Sequence, residues 1–206
     1  NVIARVRDLR ATLRREAPDV VISATDRTNV LALLATRRGR SGSEAALQSL
    51  WARATELGMP RYRERVAAVL AEHLWLEDVR EGPPWAVGLD SMLRRFLRDP
   101  PRNDHGRLLF WGAMAGLLPE QPRGIDDGFA AVLDAGSADA AALWHERGWP
   151  YEEAIALLHG TTDDAIRAVR ILEELGADGT IARARQLLRG RGITVPRGRS
   201  RAARHH

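Results

Sequence analysis

Lysine and cysteine are both absent from this chain of 206 residues, and all 31 of its basic side chains are arginines. The first absence excludes a P-loop, whose lysine lies on the nucleotide phosphates, and any Schiff-base chemistry, which needs a lysine amine. The second leaves no disulfide to staple a small fold. Long apolar runs are missing too. The longest nearly apolar stretch, residues 108–118, spans eleven residues, whereas a membrane-crossing helix needs roughly 20. It reads as a buried helix. No charged-then-apolar leader opens the chain, so a cytoplasmic protein is expected. No window shows the alternation of a half-buried strand; the nearest, residues 20–23, is too short to build a sheet.

What remains is a globular balance of 45% apolar and 28% charged residues. The net charge of +4 belongs to one end. Arg189, Arg191, Arg197, Arg199, Arg201 and Arg204 lie in the last eighteen residues, which hold no acid, leaving 25 arginines against 27 acids in residues 1–188. The first methionine is Met59, and the expectation is an excerpt of a longer protein.

Helical spacing runs nearly throughout. After Ser43, a candidate cap, Ala46, Leu47, Leu50, Trp51, Ala54 and Leu57 fall on one face, and Gly58 marks a stop. Tyr62, Val66, Val69, Leu70 and Leu74 follow. Pro83 and Pro84 are expected to open a helix carrying Trp85, Leu89, Met92, Leu93 and Phe96. Further helices are expected at about 2–16, 26–38, 105–118, 125–134, 137–147, 151–159, 162–175 and 179–189. Short turns between helices of this length give antiparallel pairs, which stack into solenoids. The fold class is therefore all-α, with helix pairs stacked over residues 1–190 and a flexible basic linker or tail over 191–206.

Candidate chemistry is sparse. The pairs Asp126–Asp127, Glu152–Glu153 and Asp163–Asp164 each sit in the first turn of an expected helix, where the macrodipole favours carboxylates. Thr161 with Asp164 fits a capping pattern. His73, His105, His145 and His159 lack the spacing of a helical metal motif, and His73 reads as a partly buried core residue. Ser41, Ser43, Ser91, Ser137 and Ser200 fall at caps, turns, a helix face or the tail, and there is no Gly-x-Ser-x-Gly elbow. No catalytic, cofactor-binding or metal-binding residue is assigned. Among the six tryptophans (51, 75, 85, 111, 144, 149) most read as core, and Trp149, at a turn, as an exposed partner contact. Gly112 and Gly116 would let helices approach closely. In the tail, Arg197, Arg199, Arg201 and Arg204 could make weak phosphate contacts.

The segment Gly148-Trp149-Pro150-Tyr151-Glu152-Glu153-Ala154-Ile155 resembles the turn of a tetratricopeptide repeat. Gly148 would permit the turn, Tyr151 fill the wedge between helices, and Ala154 let two backbones approach. Residues 138–158, then 165–178, then 182–192 with Val195-Pro196-Arg197-Gly198, resemble the helical region before the DNA-binding module of large ATP-binding LuxR-type transcriptional regulators. Residues 34–40 and 52–58 resemble its earlier repeats. That resemblance implies a sensor and coupling arm set between a nucleotide-binding module and a helix-turn-helix. ATP and DNA would belong to the parent protein, the arm being non-catalytic and without cofactor. Its partners would be a protein or small-molecule effector, its own ATPase and helix-turn-helix modules, and a second copy in a homo-oligomer, with no membrane. The alternative is a stand-alone helical-repeat scaffold for protein–protein interaction.

Overall fold

The structure, a computed structural model, describes residues 40–58, 60–98 and 106–194. Every regular element among them is an α-helix, in the order α1 (Arg40–Glu56), α2 (Pro60–Leu76), α3 (Leu89–Arg98), α4 (Gly106–Met114), α5 (Asp127–Leu133), α6 (Ser137–Glu146), α7 (Pro150–Leu157), α8 (Thr162–Leu175) and α9 (Asp178–Gly190). The all-α expectation holds for these residues. The helices expected at 2–16 and 26–38, the segment 20–23, His105, Ser200 and the tail arginines Arg197, Arg199, Arg201 and Arg204 lie outside them.

Boundaries fall where a local cause fixes them. At the start of α8 the Thr161 hydroxyl accepts from the Asp164 N–H at 3.3 Å while the Thr161 N–H donates to the Asp164 carboxylate at 2.9 Å. This reciprocal pair satisfies two of the orphan donors of a helix N-terminus. The same helix stops at Gly176, whose φ of 67° is left-handed and needs no Cβ. Two expected starts are moved. Helix α1 begins at Arg40, so Ser43 lies inside it rather than capping it. The Pro83–Pro84 pair opens turns, not a helix: Ala86 N–H bonds to the Pro83 carbonyl at 2.9 Å, and Leu89 N–H to that of Ala86 at 3.1 Å. Gly88, at φ 89°, then interrupts any right-handed run, and α3 starts after it.

Each helix from α3 to α9 packs on the next in sequence, and α1 packs on α2. Helix α2 skips α3 to lie on α4, and α9 returns across the chain to meet α2. Through the middle runs a continuous line of aromatic rings. Trp75 meets Trp111 at 5.2 Å, Phe110 stacks on Phe129 at 4.6 Å, Phe129 meets Trp144 at 4.8 Å, and Trp144 stacks on Trp149 at 5.2 Å. Phe110 and Trp111 themselves touch at 5.0 Å, closing the line from α2 to the α6–α7 turn. Such pairs add about 0.5–1.5 kcal/mol each beyond their buried area. Gly112 does allow a close approach, since an added Cβ would stand 2.8 Å from Leu93 of α3. Gly116 serves differently, ending α4 at a φ of 72°.

Tightest of all is Gly128 in α5, where an added Cβ would stand 2.6 Å from Trp144 Cε2 and closer still to Cζ2. Trp144 is fully buried between Phe129 and Trp149, so its ring has nowhere to move. Gly128→Ala is therefore expected to lower stability by about 1–3 kcal/mol, the usual range for overpacking. Urea unfolding followed by tryptophan fluorescence reads this directly; an unchanged midpoint would show that α5 can slide.

Candidate functional site

Helix α7 is where the chain's polar groups converge. All eight residues from Tyr151 to Leu158 are buried, so this short helix has no solvent face, the signature of a helix inside a core. Its position follows from sequence: Pro150 occupies the first turn, where its missing N–H is not needed, and residues 154–158 are apolar all round. The residues singled out for the repeat turn lie at the start of this helix and in the turn before it. Gly148 sits at a φ of 68°, Tyr151 is 2% exposed, and Ala154 is 0% exposed.

Two glutamates enter the core with this helix. Sequence reading placed Glu152 and Glu153 in a favourable first turn and missed that they are buried. Glu153 pairs with Arg167 of α8 and lies 3.0 Å from Nδ1 of the exposed His145 on α6. Oε1 of Glu152 lies 3.1 Å from the Arg107 guanidinium of α4, an ion pair by distance but without hydrogen-bond alignment. Burial pushes the Glu152 carboxyl above the usual carboxylate range, and the Arg107 charge pulls it only partly back. Beside it, the Tyr151 hydroxyl donates to Glu72 of α2 at 2.7 Å and stands 3.1 Å from the Thr180 hydroxyl of α9. Because the phenol proton goes to Glu72, Thr180 is the donor to Tyr151. One tyrosine hydroxyl thus ties α2, α7 and α9 together.

At the far end of the same contact, the Arg183 side chain of α9 is only 9% exposed and bonds Asp78, just past α2, at 2.7 Å; Gln186 adds a bond to the second Asp78 oxygen at 3.2 Å. The hydrogen bond from Arg183, then its charge, holds Asp78 below the usual carboxylate range. Arg183 also lies over the Trp75 ring, 5.8 Å from its centroid. Next to it opens a cleft of about 180 Å³, lined by Trp75, Asp78, Arg80, Met114, Gly116 and Arg183 among others. That is below the roughly 300–1,000 Å³ of most small-molecule sites.

The remaining candidates are dispersed. Trp149 is half-buried and stacked on Trp144 with an interplanar angle of 12°, so it is not the exposed ring expected at that turn. Asp126 caps α5 and is held by Arg147 at 2.8 Å, and Asp164 is occupied by its capping box. His73 is half-buried, as expected, while His145 and His159 are exposed and stand apart. Among the described residues no three His, Asp or Glu side chains gather as metal ligands, and no helix is long and apolar enough to cross a membrane. The packed structure continues past Gly190. Arg191 donates to the carbonyls of Leu158 and Gly160, the latter at 2.6 Å, and Ile193 packs against the core. Comparison with protein-family models, with curated proteins and with solved structures found no match.

Two measurements test the convergence on α7. Tyr151→Phe removes the hydroxyl between Glu72 and Thr180 and is expected to cost about 1–3 kcal/mol, the penalty of leaving buried polar groups unmet. In a cycle with Thr180→Val the two losses should couple; strict additivity would mean that the hydroxyls act separately. For Glu152 the sign follows from its raised folded pKa. Its ionisation opposes folding above that value, and the penalty is relieved as pH falls through it toward the ordinary 4.5. Wild type should therefore gain stability relative to Glu152→Gln as pH falls from neutral toward that range, read from urea midpoints. Asp78 does not mask this, because its depressed pKa places its loss below the ordinary 3.8. A gap that stays constant with pH would refute the burial argument.

Proposed function

We propose that the chain is a tetratricopeptide-like, non-catalytic sensor and coupling arm of a LuxR-type transcriptional regulator. The observation that supports this best is the hairpin of α6 and α7 around Gly148, because it lies in the segment that carries the resemblance. Its glycine is left-handed, and its tyrosine and alanine are both buried. The run of short helices from α5 to α9, each packed on its successor, is consistent with stacked helix pairs. An arm of this kind works by population shift: an effector or partner that prefers one packing of the helices changes how the arm meets its neighbouring modules. On this reading ATP and DNA act in the parent protein, and the arginines of this chain stabilise its own carboxylates or belong to the linker.

The test is the full reading frame, sequenced from the source DNA. A nucleotide-binding module upstream and a helix-turn-helix downstream are expected. A frame that closes near Arg204 with neither would overturn the reading and leave a stand-alone scaffold, whose protein partners would then be sought.

A further inference from the structure

Helix α9 packs on both α8 and α2. Ala177, just before it, and Ile181, Ala184 and Leu188 within it recur at helical spacing and are all buried, and Arg185 pairs with Glu173 of α8 at 3.0 Å. The face toward α2 carries Thr180, Arg183 and Gln186 instead. Their partners are Tyr151 with Glu72 behind it, and Asp78. The α2 contact is thus made largely of a hydroxyl relay, an ion pair and a cation over Trp75. An apolar interface loses its whole driving force when water enters, whereas a polar one exchanges each bond for a bond to water. Arg183 is nine-tenths buried but Asp78 is 43% exposed, so water already reaches one side of the pair, and the adjoining cleft opens beside it.

We propose that the α2–α9 seam is a latch: α9 parts from α2 and its first turns open, exchanging the Asp78–Arg183 pair for hydration while its last turn stays anchored and the rest of the fold stays closed. Arg191 sets the pivot. At the C-terminal end of α9 its guanidinium holds the carbonyls of Leu158 and Gly160, so that end stays anchored to the turn after α7 while Thr180 and Arg183 move. The consequence is a two-position element immediately before the basic tail. This inference stands apart from the proposed regulator and holds equally for a scaffold.

Hydrogen exchange on the intact chain, read by peptide, tests it. In wild type residues 178–190 should exchange about tenfold or more faster than residues 106–114 and 150–157, since local opening lies below global unfolding. Asp78→Asn keeps a residue that tolerates the φ of 59° at that position. It weakens the hold on Arg183 and should speed exchange in α9 about tenfold further, leaving α4 unchanged. Adding Arg183→Met removes the charge that opening would hydrate, and should slow α9 below wild type. Should Asp78→Asn fail to fold, raising sodium chloride from about 0.05 to about 1 M on wild type should speed α9 alone, by screening the half-exposed pair. Exchange of α9 in step with α4 in wild type, an equal acceleration of every helix in the variant, or indifference to salt would each overturn the latch.

Discussion

A helix buried on every side can keep a carboxylate only if its neighbours bring the counter-charge to it, and α7 carries two. Glu152 and Glu153 therefore dictate what must surround them: the charges of Arg107 from α4 and Arg167 from α8, with the His145 ring of α6 at 3.0 Å from Glu153. Removing one member of such a set leaves an uncompensated buried charge, which is why buried ion pairs constrain geometry more than they add stability. Tyr151 extends the constraint in the other direction, through Glu72 and Thr180 to α2 and α9. Eight buried residues thus fix the position of five neighbouring helices. That convergence explains how a set of short helices holds one arrangement without disulfides and without a long element to align them.

Two materials divide the interior. Rings from α2, α4, α5 and α6 touch in an unbroken line, with Gly128 clearing the space for Trp144. Close-packed aromatic surface of this kind offers no intermediate states, since a small displacement forfeits contact energy at once. The hydroxyls, carboxylates and guanidinium between α2 and α9 behave otherwise, because each can be received by water. The fold therefore holds a part that can only be intact or lost, and beside it a part that can come apart and reform.

Much of this was legible in the chain because the signals were local. Thr161 with Asp164 at one end and Gly176 at the other bracketed α8 to the residue, since a capping box and a left-handed glycine act over three or four positions. The doublet Pro83–Pro84 misled for the same reason: proline suits the first turn of a helix but equally the corner of a tight turn, and Gly88 decided between them. The burial of Glu152 and Glu153 was half visible. A first-turn acid pair reads as solvated, yet the five apolar residues after it leave no polar face for the helix to show to water. What no pattern disclosed was the pairing of Asp78 with Arg183 and of Glu72 with Tyr151. These partners lie 105 and 79 residues apart, and a single arginine or glutamate carries no mark of its distant partner. Trp149 failed for a related reason, since whether a turn tryptophan faces water depends on Trp144 being there to stack on it.

The place of α9 gives these contacts their importance. It is the last helix before the basic tail, and it is the one that returns to the beginning of the described fold. A force applied to the tail acts first on Arg191 and its two carbonyls, at the end of α7, and then on the Thr180–Tyr151 bond at the start of the same helix. Both ends of α7 are therefore met by α9, and α7 is the element that the remaining helices are built around. A rearrangement of α9 would change the surroundings of Glu72 and Asp78 and lift Arg183 from Trp75, the first ring of the aromatic line. Helix α9 thus joins, within a single element, a contact with α8 and a half-hydrated polar seam toward α2.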